Sequence, residues 1–177
     1  MEETKPNVLK HVLSYSTIIA ILLFTLFLVS YMFNFAQSGA VAGILNFIVQ
    51  LSIFAYFIYK GMKDYRDKYF EGYLSYGKVL TLGLVLVSIS AVIYTIFFGI
   101  YIYFDIDYFE YLRNLQFTQL KESGLSDEQI YTYIENSSKF LNPYFMTMGS
   151  LIGNIIYGGL ISLVIAAVVK KDKPFSI

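Results

Sequence analysis

The sequence predicts an all-α integral membrane protein, a four-helix bundle with an amphipathic helical hairpin between its third and fourth spans. Hydrophobic residues make up 56% of the 177 residues and charged residues only 15%, so the chain is far more apolar than an ordinary soluble domain. Uncharged windows long enough to cross a bilayer recur along it. One densely charged segment, Lys60 to Lys78, lies between them. We therefore expect residues 1–177 to form a single integral membrane domain.

The first span is predicted at about 12–33, after a short polar tail that ends at Lys10. No residue in this run is charged, and as a helix it extends about 33 Å, enough for a hydrocarbon core of roughly 30 Å. A cleaved signal peptide is the competing interpretation, but the run is longer than the roughly 7 to 15 residues of a signal core. His11, the single histidine, is expected at this membrane boundary as a solvated residue.

The second span is predicted at about 40–59, after a tight uncharged turn that contains Gln37 and Ser38. The helix is expected to continue into the charged segment and to end near Gly72. Lysines and aspartates in that segment are spaced four residues apart, which favours pairing: Lys60 with Asp64, Lys63 with Asp67, and Asp64 with Lys68.

The third span is predicted at about 79–103, and the segment after it, about 105–143, is the one sizeable part outside the membrane. Apolar residues recur on one face of two stretches in this segment, which indicates an amphipathic helical hairpin. Its second helix has a clear start signal, because Ser126 and Gln129 have the spacing of a capping box. Asn142 and Pro143 then predict the start of the fourth span, at about 144–169.

Basic residues are distributed unevenly between the two sides of this bundle. Three lie on the hairpin side, and ten lie on the side of both termini and the charged segment: Lys5, Lys10, Lys60, Lys63, Arg66, Lys68, Lys78, Lys170, Lys171 and Lys173. Because basic residues are retained on the cytoplasmic side, we expect both termini and the central turn to be cytoplasmic. The basic turn with Lys60, Lys63, Arg66 and Lys68 is expected to be a solvated helical extension; a site for anionic lipid or for a partner is the alternative.

Several motifs on this frame resemble one known family. They are Gly61-Met62-Lys63-Asp64-Tyr65-Arg66-Asp67, Gly72, Ser75-Tyr76-Gly77, Gly83, Ser126-Asp127-Glu128-Gln129-Ile130, Pro143 and the ending from Gly159 to Lys171. Over nearly its whole length the chain resembles the four-span family catalogued as domain of unknown function 4199, found mainly in Bacteroidota. The resemblance implies this topology in a bacterial inner membrane. With that membrane, the distribution of basic residues predicts that the hairpin is periplasmic. It implies no activity and no catalytic residue.

The residues typical of an enzyme are not found in this sequence. There is no cysteine, and one histidine is too few for a multi-histidine metal or haem site within one chain. No carboxylate lies within a predicted span, and the acidic group of Asp105, Asp107 and Glu110 lacks the spacing of an EF-hand. A net charge of zero gives no indication of a nucleic-acid partner. We expect a non-enzymatic protein without a catalytic, cofactor-binding or metal site.

We expect the protein to act in the lipid bilayer through self-association, as a homo-oligomer, or by binding another membrane protein. The last span carries small residues that let helices approach closely in lipid, namely Gly149 and Gly153, spaced G-x-x-x-G, and then Gly158 and Gly159. These glycines are helix-packing candidates, and the contact is either within one chain or between two copies.

A second set of candidates is an intramembrane polar seam. Asn46 and Gln50 share one face of the second span, and Asn154 lies at a comparable depth in the fourth. Because unpaired amides are costly in hydrocarbon, we expect these side chains to face one another. Packing without a further role is the favoured interpretation. The alternative function is a small-solute transporter or channel-like subunit, formed by an oligomer and lined by these amides and by hydroxyl groups.

Overall fold

The computed structural model describes residues 8–35, 39–105 and 107–173, and Lys5, Gln37 and Ser38 lie outside the described residues. The described part of the chain is all-α, as predicted, and contains no strand beyond one isolated bridge. Its α-helices are α1 (Val8–Met32), α2 (Ala40–Tyr69), α3 (Tyr76–Phe104), α4 (Asp107–Glu122), α5 (Asp127–Ser137) and α6 (Pro143–Val169). A short 3-10 helix, Ser138–Phe140, follows α5.

Four of these helices, α1, α2, α3 and α6, are long and apolar enough to cross a membrane. Helices α1, α3 and α6 agree with the predicted spans to within four residues, α2 begins where predicted and runs ten residues further, and the chain is a multi-pass membrane protein. The predicted continuation of the second span is also confirmed. The 30 residues of α2 extend about 45 Å, so its last turns carry the charged segment beyond the hydrocarbon.

Helix starts follow the local signals in the sequence. At α5 the backbone N–H of Gln129 donates to the Ser126 hydroxyl, and the Gln129 side chain accepts from the Ser126 backbone, so the capping box is confirmed. At α6 the Asn142 side chain accepts from the backbone N–H of Phe145, and Pro143 occupies the first turn. Both caps satisfy N–H groups that a helix start leaves without partners.

The most central of the long helices is α3, which packs against α6 and α1, and α2 packs against both α1 and α6. In its most apolar window 44% of the residues of α3 are buried, against 11% for α2. The core combines buried apolar side chains from all four helices, including Ile19, Phe54, Leu86 and Ile165. Helix α2 therefore leaves most of its apolar surface outside the core of the described chain.

We call the end of the bundle that carries Val8, the turn between α2 and α3, and Val169 the basic end, and the opposite end the hairpin end. Toward the basic end small residues allow close packing. A Cβ on Gly158 of α6 would lie 2.5 Å from Val87 Cγ1, closer than real Cβ atoms approach, and 3.2 Å from Phe54, which is a tight contact. At Gly83 a Cβ would collide with Met62 and lie 3.0 Å from the Ser162 hydroxyl. Helices α2, α3 and α6 thus meet over two glycines.

At the hairpin end, aromatic side chains attach α4 to the bundle. Tyr108 is buried and packs edge-on against Phe27, Tyr31 and Phe98. Burial, reinforced by the hydroxyls of neighbouring tyrosines, raises the pKa of the Tyr108 phenol well above its ordinary value. The phenol is therefore neutral across the physiological pH range, which suits a contact made between apolar rings.

Candidate functional site

The densest polar network of the described residues lies at the basic end, where the charged segment of α2 packs against the start of α1. The His11 Nε2 lies 2.9 Å from the Gly61 carbonyl oxygen. A carbonyl can only accept, so Nε2 carries the proton and donates. The imidazole ring also contacts Tyr15, Tyr65 and Tyr69, with ring centroids 4.9, 5.6 and 5.5 Å away. The expectation of a solvated His11 is therefore wrong, although the residue does lie near the start of α1.

A second contact joins the same two helices one turn further along. The Tyr15 hydroxyl donates a hydrogen bond to the Asp64 carboxylate. A shallow cleft beside this pair is lined by His11, Tyr15, Asp64, Asp67 and Lys68. The neighbouring Ser16 is fully buried and donates to the Leu86 carbonyl of α3 at 3.0 Å. These bonds fix the start of α1 against both α2 and α3.

Arg66 connects α2 to the end of α6. Its Nη1 donates to the carbonyl of Val169 at 2.6 Å, and its Nε donates to Asp67 at 2.7 Å. Val169 is the last residue of α6, where backbone carbonyls lack partners within the helix. A cation at this position is favourable, because the C-terminus of a helix carries partial negative charge. The side chain is only 15% exposed, so Arg66 acts as a cap for α6 and is not a solvated residue of the basic turn.

The ion pairs predicted within α2 are wrong. Asp64 and Asp67 are the predicted acidic partners, and they bond instead to Tyr15 and to Arg66. In the part of the chain that the structure describes, the predicted partners Lys60, Lys63 and Lys68 form no ion pair within 4.0 Å. These three lysines are exposed, as expected of a solvated extension. Lys63 lies over the Tyr59 ring at 5.7 Å and Lys68 over the Tyr69 ring at 5.5 Å.

The turn between α2 and α3 holds the chain that follows α6. Gly72 has φ of +82° and donates to the Arg66 carbonyl at 3.2 Å, which ends α2 where the sequence predicts. Two residues later, Leu74 and Lys171 exchange backbone hydrogen bonds of 2.8 and 3.0 Å. The Lys78 ammonium lies 6.0 Å from the Phe70 ring centroid, and the Lys171 ammonium lies 5.0 Å from that of Tyr73.

The candidate glycines of α6 divide into two pairs. Gly158 is closed off by Val87 and Phe54, and a Cβ on Gly159 would make an ordinary contact of 3.7 Å with Leu84. A Cβ on Gly149 or Gly153 would meet nothing within 4 Å in the described residues. The contact within the chain therefore uses the second pair, and the G-x-x-x-G pair faces outward.

The residues of the predicted polar seam have other partners in this structure. Asn46 accepts a hydrogen bond of 2.8 Å from Ser30 of α1, and Asn154 donates to the Ser150 carbonyl of its own helix at 2.8 Å. Asn154 is 7% exposed and Gln50 is half-buried. Gln50 lies one turn before Phe54, and Asn154 lies one turn before Gly158. Because Phe54 and Gly158 are in contact, Gln50 and Asn154 lie at a comparable depth, as predicted. Their direct pairing stays a prediction.

The acidic group at the hairpin end has a structural use at one position. The Asp105 carboxylate accepts from the backbone N–H of Tyr108 at 3.2 Å and so caps the start of α4. Within the described ranges no three His, Asp or Glu side chains are grouped so that they could hold a metal ion. The described polar residues therefore hold helix ends together, and at the basic end they present lysine ammonium groups to the surroundings.

Sequence reasoning missed three residues of the basic-end network: His11, Tyr15 and Val169. The histidine and the tyrosine had a detectable signal, because a lone imidazole and a phenol one turn apart at the start of a span can face a polar helix extension. The Val169 carbonyl had none, since every helix ends in free carbonyls.

One comparison with known proteins finds a match. A family model described as protein of unknown function (DUF4199) matches residues 14–171, which is most of the chain. That range includes the contacts of Tyr15, Arg66 and Lys171 described above. No curated protein and no solved structure matches.

Proposed function

The chain belongs to the family described as protein of unknown function (DUF4199), and we propose that this membrane protein works without catalysis, by associating in the plane of the membrane. The associating partner is a second copy of the chain, with another membrane protein as the further case. The contact surface is the outward face of α6 that carries Gly149 and Gly153, which we call the glycine face.

The open space beside Gly149 and Gly153 carries this proposal. A glycine inside a helix costs roughly 1 kcal/mol relative to alanine, so two such glycines four residues apart are unfavourable unless something uses the space. Gly158 shows such a use in the same helix, where Val87 and Phe54 fill it. Close backbone approach is a main source of helix association in lipid, because the hydrophobic effect does not drive apolar helices together there.

Transport by an oligomer is the alternative, and three of the four buried serine and threonine hydroxyl groups in the described residues give it less support. Ser16 donates to the Leu86 carbonyl, Ser90 to the Val87 carbonyl and Ser162 to the Gly158 carbonyl. These hydroxyls are used within the bundle, whereas a conducting path needs polar groups turned toward an open space. A liposome flux assay on the purified protein separates the two functions, because only transport predicts solute movement above that of protein-free vesicles.

We also propose that the protein resides in a bacterial inner membrane with the basic end in the cytoplasm. The support is the charge asymmetry: the basic end and both tails carry ten basic and six acidic residues, a net charge of +4, and the hairpin segment carries three basic and seven acidic residues, a net charge of −4. Basic residues concentrate on the cytoplasmic side of bacterial membrane proteins.

Disulfide crosslinking in native membranes tests the association. The chain has no cysteine, so each introduced one is unique. Leu160 lies two turns beyond Gly153 on the same helix face. Ile155 lies about 140° away from Leu160 around the helix, and both side chains are exposed. We expect Leu160→Cys to form disulfide-linked dimers much faster than Ile155→Cys. Equal rates for the two variants would contradict a contact through the glycine face.

A further inference from the structure

Two lysines from different parts of the chain lie over aromatic rings of the turn between α2 and α3. Lys78 begins the third span, and its ammonium lies over the ring of Phe70. Lys171 follows the fourth span and lies over the ring of Tyr73, held there by the paired backbone bonds between Leu74 and Lys171. The fold thus places two cations against two aromatic rings of one short turn.

Neither ammonium group is neutralised by a carboxylate in the described part of the chain. The two ion pairs described there join Arg66 with Asp67 and Lys121 with Asp127, and neither includes Lys78 or Lys171. Glu71 and Asp172 are close to the two lysines in sequence, yet neither is within 4.0 Å of an ammonium group. Asp64 and Asp67, the other acidic residues nearby, bond to Tyr15 and Arg66.

Both lysines lie at the ends of membrane-length helices, where lipid headgroups are expected. Lys78 directly precedes Val79, a fully buried residue of α3, and Lys171 is the second residue after Val169, the end of α6. The apolar windows of the third and fourth spans therefore stop within one turn of each ammonium. Aromatic rings and lysine side chains at this depth are typical of residues that contact headgroups, since their apolar parts stay near the acyl chains.

We propose that Lys78 and Lys171, over the rings of Phe70 and Tyr73, form a binding site for the phosphate of an anionic phospholipid. The charge of this end, +4 against −4 at the other, matches an anionic lipid surface. Each ammonium has three donors, and the ring occupies one side of it, which leaves donors for phosphate oxygens. The rings and the depth distinguish a lipid from a free anion, because a headgroup brings acyl chains that cover the adjacent apolar surface of α3 and α6.

Native mass spectrometry of the full chain in detergent, titrated with phosphatidylglycerol or with zwitterionic phosphatidylcholine, tests the site. A lysine near an anionic lipid surface contributes roughly a five-fold gain in affinity. The double variant Lys78→Gln/Lys171→Gln should therefore bind phosphatidylglycerol on the order of 25-fold more weakly, with phosphatidylcholine binding unchanged. The control is Lys121→Gln/Lys139→Gln, which removes the same charge from the hairpin segment and should bind phosphatidylglycerol as the wild type does.

Two results would overturn the proposal. One is equal phosphatidylglycerol affinity in the lysine double variant and the hairpin control. The other is full displacement of phosphatidylglycerol by inorganic phosphate, which would show an anion site that does not recognise lipid. The variant Lys78→Arg/Lys171→Arg keeps both charges and should keep most of the affinity, which separates loss of charge from a folding defect.

Discussion

The guanidinium of Arg66 donates a 2.6 Å hydrogen bond to the carbonyl of Val169, 103 residues away in the sequence. This bond ties the extended end of α2 to the last turn of α6. With the His11 bond to Gly61, it makes the basic end the place where three of the four membrane-length helices are held together by polar contacts.

Replacing Arg66 by alanine should lower the stability of the bundle. A hydrogen bond to a charged group contributes about 1.5 to 3 kcal/mol, and the part-buried carbonyl of Val169 would lose its partner. Arg66→Lys should recover only part of this, because one ammonium cannot reproduce the fork that contacts both Val169 and Asp67. Unfolding of the purified protein in detergent measures both variants, with the exposed Lys68→Ala as the control. No difference between Arg66→Ala and the control would show that the contact contributes nothing to stability.

A matched pair of glycine substitutions in α6 tests the packing. Gly158→Ala places a methyl 2.5 Å from the branched side chain of Val87, which should destabilise the bundle by about 1 to 3 kcal/mol. Gly153→Ala adds the same methyl in open space and should be neutral or stabilise the helix by up to about 1 kcal/mol. The measurement is thermal unfolding in detergent at a dilution where the protein is monomeric. The reverse order of the two midpoints would mean that α6 is rotated from the position described.

The helix ends and lengths were predictable because their signals are local. Ser126 with Gln129, and Asn142 with Pro143, cap the helices that they precede. The basic-end network was not predictable, because its partners are separated by 49 to 103 residues. Local spacing even favoured wrong pairs there. An exposed lysine pair gains little in water, so the part-buried Tyr15 hydroxyl competes successfully for Asp64. Which glycines of α6 face inward also depended on helix rotation, which four similar apolar spans do not specify.

The polar seam can be tested by crosslinking. The structure places Asn46 against Ser30, so the pair Ser30→Cys with Asn46→Cys should crosslink readily. If the seam exists, the pair Asn46→Cys with Asn154→Cys should also crosslink. It should do so faster than the control pair Ile48→Cys with Asn154→Cys, because Ile48 faces away from the bundle. Faster crosslinking of the control pair would exclude the seam and leave the Ser30 contact in place.

Tyr108 should control how firmly the hairpin is attached. Removing a buried aromatic side chain costs on the order of 3 kcal/mol or more, so Tyr108→Ala should reduce amide protection in α4 on the order of 100-fold. Tyr133 of α5 is 54% exposed, and Tyr133→Ala should leave α4 unchanged. Hydrogen exchange gives both values. The raised pKa of Tyr108 also predicts a pH dependence, because the phenol ionises at lower pH in the unfolded than in the folded hairpin. Hairpin protection should therefore fall as pH rises above about 10 and should not depend on this group below it. Equal protection in the two alanine variants would contradict an anchoring role.

The orientation is tested by labelling single cysteines with an impermeant reagent. Lys68→Cys in α2 and Ser123→Cys after α4 are both exposed and lie on opposite sides of the bundle. We expect right-side-out membrane vesicles to be labelled at Ser123→Cys, and Lys68→Cys to be labelled only after permeabilisation. The opposite pattern would refute a cytoplasmic basic end.

Association through the glycine face is the central claim, and counting subunits in a bilayer tests it most directly. The measurement is single-molecule photobleaching of the fluorescently labelled full chain in vesicles, across a range of protein-to-lipid ratios. We expect the wild type to shift from one bleaching step to two as its density rises, and Gly153→Leu to remain at one step over the same range with an unchanged unfolding midpoint in detergent. A wild type that bleaches in one step at every density, or a Gly153→Leu variant that dimerises as the wild type does, would contradict the account.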